Sequence, residues 1–375
     1  MLPGPTNVSP RVMEALSRPI INHRGAEFHR FYEQLIEKAK KLFTTEGDVV
    51  ILSSSGTGGV EAAVQNLIRP GDKAVVPVFG EFSERLADLL EFAGGSAVRV
   101  AAAYGDAPSI AEIEDTFRRN KDAKALFVVY NETSTGVAFR QLKQAGEIAS
   151  ANGAFFVVDA ISNFAGDELP VDHYGVDICI TGSQKCLAAP PGLALLSIGR
   201  RARKSIEENR RSSLYFDISR YLRYLERKET PFTPCLPLFY ALDEAINMIF
   251  EEGLANRIVR HKRCSDALYE AFEILGLQLF AKRQVRSTTV IAVEQPENVS
   301  GKQFRETLDE KFGISVAGGF AELSDKLFRV GCMGQVNREH VLSTLAAISS
   351  ALSMLGFENP KEAALGAAEE KLKGL

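Results

Sequence analysis

Two residues in this chain combine a reactive side chain with a setting that would present it. Lys185 follows a largely apolar run, residues 176–180, that stops at Thr181-Gly182-Ser183-Gln184 and is succeeded by a rigid Pro190-Pro191-Gly192. The pattern reads as a buried strand that delivers a side chain at its carboxyl end. A lysine held out of water loses its proton readily and then attacks carbonyl carbons. An ordinary surface lysine after a strand carries the same local sequence. Asp159 likewise ends an apolar run, residues 154–158, and doubly wound folds bind ligands at the carboxyl ends of their strands. A carboxylate and a lysine would then face one crevice.

That is the pair pyridoxal 5'-phosphate (PLP) needs. The amine holds its aldehyde as a Schiff base, and the carboxylate keeps the pyridine nitrogen protonated so that the ring accepts electrons. A third stretch suits the phosphate: Ser55-Gly56-Thr57-Gly58-Gly59 follows a short apolar strand and opens a helix. Bare N–H groups and the positive end of the helix dipole make such a turn an anion cradle, although a tight strand-to-helix turn needs no ligand. A fourth candidate is Arg329, an arginine inside the apolar strand 326–330. Its planar fork matches a carboxylate in two parallel hydrogen bonds, and a structural salt bridge is the competing use.

Ser183-Gln184-Lys185 ahead of Ala189-Pro190-Pro191-Gly192, Ser55-Gly56-Thr57-Gly58 and Glu132-Thr133-Ser134-Thr135-Gly136 resemble motifs of the class V aminotransferases, specifically the alanine–glyoxylate and serine–pyruvate branch. The similarity runs from Pro3-Gly4-Pro5-Thr6 to Phe328-Arg329-Val330-Gly331, in the family's order. The resemblance implies the fold type I architecture of PLP enzymes, an α/β fold whose mostly parallel seven-stranded sheet is sandwiched by helices, plus a smaller C-terminal α+β domain. It implies an amino group moved from a small L-amino acid, alanine or serine, to a 2-oxo acid, glyoxylate or pyruvate, by a ping-pong route with Lys185 as general base. By the same resemblance Ser55, Gly56 and Thr57 hold the phosphate, Phe82 stacks on the ring and Thr133 bonds its oxygen. Ile161 and Gln184 line the cofactor, Arg329 clamps the substrate carboxylate and Gly4 lies near it. The family is a homodimer with shared sites, in which the arm crosses toward the partner. There Thr230 and Thr233, on a stiff, exposed Thr230-Pro231-Phe232-Thr233-Pro234 loop, reach the neighbour's phosphate; some members carry Tyr at the position of Thr230.

The elements that must position these residues follow from periodicity. Apolar residues at helical spacing over 28–43 give a helix, and strands and helices then alternate from 48 to 152, the pace of a parallel sheet covered on both faces. A strand over 193–198 has no direction assignable from sequence. Residues 200–211 form a basic, solvated helix face. Long helices over 237–252 and 254–275 meet at Gly253, where the domain boundary is placed. The division is an arm 1–18, a large domain 19–252 and a small domain 253–375. Beyond it come a strand over 288–293, a helix over 302–312, short strands over 314–316 and 326–330, a helix over 338–355, and a solvated or partly frayed helix over 358–375.

Composition narrows the partners. A net charge of −4 without a run of one sign gives no electrostatic reason for nucleic acid or an anionic membrane, so small molecules are expected. Five cysteines without a Cys-x-x-Cys pair or a Cys/His cluster suggest neither disulfides nor a metal site, and fit a reduced cytoplasm. No apolar run reaches spanning length and no export segment is read. Two other functions stay open: a PLP lyase or cysteine desulfurase of the same fold, for which Cys186 and Cys332 are the nearest thiols, and a non-catalytic binding protein. The donor is not legible, and His23-Arg24 is the one basic pair left for an acidic side chain.

Overall fold

The computed structural model describes residues 1–208 and 213–375. An arm leads into α1 (Pro10–Ala15), whose first turn is capped by Ser9 through Val12 N–H. α2 (Ala26–Phe43) buries Phe28, Tyr32, Leu35, Ile36, Ala39 and Leu42 along one stripe. The alternation then runs β1 (Asp48–Leu52), α3 (Gly56–Leu67), β2 (Lys73–Val78), α4 (Glu81–Phe92), β3 (Ser96–Ala101), α5 (Ile110–Arg119) and β4 (Ala123–Val129). A hairpin, β5 (Asn131–Glu132) with β6 (Val137–Ala138), precedes α6 (Leu142–Ala151), β7 (Phe155–Asp159), β8 (Ile178–Gly182) and β9 (Ala194–Ile198).

Seven of these strands form one sheet in the order β1-β9-β8-β7-β4-β2-β3. β9 is antiparallel to both neighbours and every other neighbouring pair is parallel. The two reversals across β9 leave β1 running with the parallel set, so six strands open onto the same rim. Both faces are covered, as such a sheet requires. Along β1, Val49 and Ile51 join a core with α2, α5, α6 and the later α9 (Leu236–Glu252), while Val50 and Leu52 join α3 and α4 on the other face.

α7 (Arg200–Glu208) and α8 (Ile218–Leu225) follow β9 and precede α9. The basic stretch expected over 200–211 is helical in α7, where Arg201 pairs with Asp177 and Arg203 with Asp48; its remaining residues lie outside those described. Gly253, at φ +83°, joins α9 to α10 (Leu254–Ile274). A second, antiparallel sheet in the order β10-β12-β11 is built from β10 (Val290–Glu294), β11 (Ala317–Gly318) and β12 (Leu327–Gly331), with α11 (Gly301–Phe312) between β10 and β11. α12 (Arg338–Met354) and α13 (Lys361–Lys371) complete its own core with α10.

Three expectations need correction. The strand placed at 314–316 forms instead at Ala317–Gly318, where the backbone pairs with Arg329 and Phe328. The tail is helical as expected, with most of its residues exposed, but it is not solvated all round: Ala364, Ala368 and Leu372, spaced four apart, bury one stripe of the α13 region in the small core. The proline loop is not exposed as a whole. Thr230 is buried, and Phe232 stacks on Tyr215 and meets Tyr221 edge-on, which draws the loop inward and leaves Thr233 outside. The five cysteines are free thiols, and no described helix is long and apolar enough to cross a membrane.

Candidate active site

β8 ends at Gly182, and the turn beyond it is fixed by Ser183, whose hydroxyl donates to the Pro190 carbonyl at 2.6 Å and accepts from Leu193 N–H. This holds Lys185 against the arm. Its Nζ donates to the Pro3 carbonyl at 2.5 Å, while Thr6 donates from its backbone to the Gln184 carbonyl and from its hydroxyl to the Lys185 carbonyl. Gly4, at φ +98°, lies directly on the lysine, since a Cβ there would stand 2.4 Å from Lys185 Cδ. Burial lowers the amine to about 8, and the Arg329 charge pushes the same way.

Asp159 ends β7 and accepts Ile161 N–H on Oδ1 at 2.9 Å. Burial raises its carboxyl to about 7, with the Glu132 charge adding and Lys185 and Arg85 opposing. A base and an acid that both titrate near neutrality thus stand at neighbouring strand ends.

Asp159 and Lys185 share a cavity of about 180 Å³. Its walls bring together Ser55, Gly56 and Thr57 at the start of α3, Phe82 on α4, Thr133, Ile161 and Gln184. Ser55 caps α3, and the N–H groups of Gly56 and Thr57 meet no acceptor among the described residues. A Cβ on Gly56 would come 2.7 Å from Ile161 Cδ1, so only a bare backbone fits between that side chain and the cradle. Gln184 Oε1 and Asn131 Oδ1 are buried without a partner among the described residues. Bare N–H groups for a phosphate, a flat apolar ring, a half-buried carboxylate and a half-buried lysine are what PLP requires, and these residues fit it.

Gly4 and Arg329 border that cavity without lining it, and Thr230 and Thr233 are not on its wall. Thr230 is tied within its own chain, its hydroxyl donating to the Phe232 carbonyl and its carbonyl accepting from Arg24. Arg24 also pairs with Glu229, so the His23-Arg24 pair does not reach this chain's cavity walls. Arg329 is 5 % exposed on β12 and makes no ion pair among the described residues, against the salt-bridge alternative. Its Nε donates to the Gly318 carbonyl at 2.7 Å and its Nη1 to the Thr133 carbonyl at 2.9 Å, and Nη2 has no hydrogen-bond partner among the described residues. Burial lowers it to about 10, with Glu132 opposing.

Several site residues escaped the sequence reading. The Glu132 carboxylate accepts from Phe82 N–H, from Ser83 N–H and hydroxyl, and from the Ser134 hydroxyl, so it locks the β5 hairpin onto the start of α4 and sets the Phe82 ring. Asn131 donates to Ser162 at 2.7 Å on the cavity wall. Arg85 lies over the Phe82 ring at 4.9 Å. Its place one helical turn after Phe82 was a usable signal, because residues three apart share a helix face.

A large, mostly parallel sheet with a lysine and an aspartate at its rim, and an arginine offered by a second sheet, defines a fold type I PLP enzyme. The chain belongs to the class V aminotransferases, whose family model matches residues 5–330. It is 41 % identical over 99 % of its length, and 97 % of the other's, to an uncharacterized aminotransferase of Methanocaldococcus jannaschii. It is 32 % identical to a serine–glyoxylate aminotransferase of Methylorubrum extorquens, over 99 % of this chain and 95 % of that one. The solved structure of the Bacillus subtilis ureidoglycine–glyoxylate aminotransferase superposes with a TM-score of 0.93 at 31 % identity, covering 99 % of this chain and 97 % of its own. Relatives of similar identity carry other names, a soluble hydrogenase small subunit of Synechococcus among them.

Proposed function

We propose that the chain moves an amino group from a small L-amino acid, alanine or serine, to a 2-oxo acid, glyoxylate or pyruvate, in two half-reactions at one site. The observation that carries this reading is Arg329: a buried guanidinium without an ion-pair partner among the described residues, with Nη2 unclaimed, near a lysine whose proton it loosens. A substrate α-carboxylate completes that arginine. PLP, when bound, supplies an electron sink for the charge left as Cα loses its proton. In this reading Asp159 holds the proton on the ring nitrogen, and Ser55, Gly56 and Thr57 hold the phosphate. Phe82, Thr133, Ile161 and Gln184 fix the ring. Lys185, brought to about 8, takes the Cα proton and returns it on the other side of the nitrogen. Gly4 keeps the arm bare beside that amine. Glyoxylate enters the proposal through the relatives named above, and the small donor through the same family branch.

We further propose a homodimer in which the Thr230 and Thr233 loop completes the neighbour's phosphate site, a division into 1–18, 19–252 and 253–375, and a cytoplasmic setting suited to free thiols. A desulfurase needs a reactive thiolate, and burial raises Cys186 to about 12 and Cys332 well above the ordinary thiol value.

The test is the visible spectrum of the purified protein on separate addition of L-serine, L-alanine, L-aspartate and L-cysteine without oxo acid. Conversion of the cofactor band to that of its aminated form by alanine or serine supports the proposal and names the donor. An unchanged band with ammonia, pyruvate or sulfide released would mean a lyase or desulfurase, and no band after added PLP would defeat the reading.

A further inference from the structure

We propose that Phe320 is the residue that limits the amino donor to a methyl or hydroxymethyl side chain, an inference that rests on the transamination proposed above. Phe320 stands in the turn after β11, where the chain leaves the edge of the small sheet before returning as β12 with Arg329. Its ring lies 4.5 Å from the Arg329 guanidinium carbon and meets the Phe82 ring edge-on at 5.7 Å and 90°. One side chain from the small sheet therefore covers a face of the carboxylate-binding group and abuts the aromatic wall of the PLP cavity.

The turn that carries it is fixed. The Gly318 carbonyl accepts Arg329 Nε, Gly319 N–H donates to the Leu327 carbonyl, and Leu323 N–H donates to the Phe320 carbonyl. A Cβ on Gly319 would fall 2.0 Å from the Leu323 carbonyl oxygen, so the turn closes onto itself and leaves Phe320 little room to swing away. The same turn grips the edge of the guanidinium through a carbonyl and covers its face with a ring.

A donor bound by its carboxylate on Arg329, with its nitrogen toward Lys185, has its remaining Cα substituent beside whatever covers Arg329. That cover is Phe320, backed by Phe82 and unable to retreat toward it. A methyl or hydroxymethyl group fits against a ring edge or face, and a longer chain requires the ring's volume.

The experiment compares wild type, Phe320→Ala and Phe320→Leu as PLP-loaded enzymes, with glyoxylate as acceptor and L-alanine, L-serine, L-norvaline and L-phenylalanine as donors. The expected result is that Phe320→Ala raises the ratio of kcat/KM for L-norvaline over L-alanine by roughly tenfold or more, the scale on which apolar pockets discriminate methylenes. Phe320→Leu gives a smaller rise in the same direction and serves alone if the alanine variant does not fold. A uniform loss with all donors would mean that the ring only supports Arg329, and would overturn the proposal. Wild-type enzyme that uses L-norvaline as readily as L-alanine would overturn it too. Those outcomes leave transamination standing, whereas a wild type that forms no cofactor band and moves no amino group removes both.

Discussion

Lys185 and Asp159 are held at protonation states that cost the fold something, and the cost can be read in opposite pH windows. Asp159 is raised by burial to about 7, so between its ordinary value near 4 and 7 the folded chain binds more protons than the unfolded one. This contribution to stability is full below about pH 4 and is lost as pH rises through 7, amounting to as much as about 4 kcal/mol. Lys185 is lowered to about 8, so between 8 and its ordinary value near 10.4 the unfolded chain binds more protons and stability rises with pH. For these two groups the cofactor-free protein is least stable near pH 7 to 8. Unfolding midpoints across pH should show that dip, Asp159→Asn should remove its acid limb and Lys185→Met its alkaline limb; a flat profile in the wild type would count against both shifts. In catalysis, Lys185→Ala should abolish the cofactor's visible linkage band and lower the rate at least roughly a thousandfold, in line with removal of a positioned base. A retained band would sink the assignment of Lys185.

At the scale of elements, the strands ending at Asp159 and Gly182 and the turn into α3 were legible because buried runs, glycines and prolines mark where a parallel strand stops. What was not legible depends on partners far along the chain. Arg329 could be flagged by its polarity in an apolar strand, but that it would spend its donors on the Thr133 and Gly318 carbonyls follows only from how the β5–β6 turn meets the small sheet. The α13 stripe was hidden because its buried residues are mostly alanines among charges. The junction of α9 and α10 is another case. Glu252, at the end of α9, binds Arg257 at 3.0 Å and Arg260 at 2.6 Å on α10. Arg257 donates onward to the Cys186 carbonyl beside Lys185, and Arg260 to the carbonyls of Gly334 and Val336 beyond β12. One carboxylate thus neutralises two arginines that brace the Lys185 turn and the loop after Arg329. Glu252→Ala leaves the fully buried Arg257 uncompensated and should cost about 3 kcal/mol in urea unfolding. Arg118→Ala, which breaks only an exposed pair with Glu114, should change stability by less than about 0.5 kcal/mol. Equal effects would mean the junction is no more than surface charge.

For the whole molecule, the question is whether one chain holds a complete site. The arm already ties its parts together within the chain: Pro3 accepts from Lys185, Thr6 holds the Lys185 turn, and Gly331 N–H, at the end of the Arg329 strand, donates to the Met1 carbonyl. The phosphate end is less complete, since Thr233 faces outward and neither it nor Thr230 lies on this chain's cavity wall. Apolar side chains exposed near the arm, Met13 at 50 % and Ile20 at 68 %, are costly in a free subunit and suit a face covered by a second copy. The expected outcome is therefore a dimer in sedimentation, converted toward monomer by the paired change Met13→Glu and Ile20→Glu. Loss of the partner's loop removes hydrogen bonds to the phosphate, so the monomer should retain PLP roughly tenfold less tightly through dialysis. Thr233→Val should weaken retention in the same direction while leaving the dimer intact, because only the contact to the neighbour is removed. A monomer that keeps its cofactor as firmly as the dimer would show that Ser55, Gly56 and Thr57 suffice for the phosphate, and the shared-site proposal would fall while the roles proposed for Lys185, Asp159 and Arg329 stood.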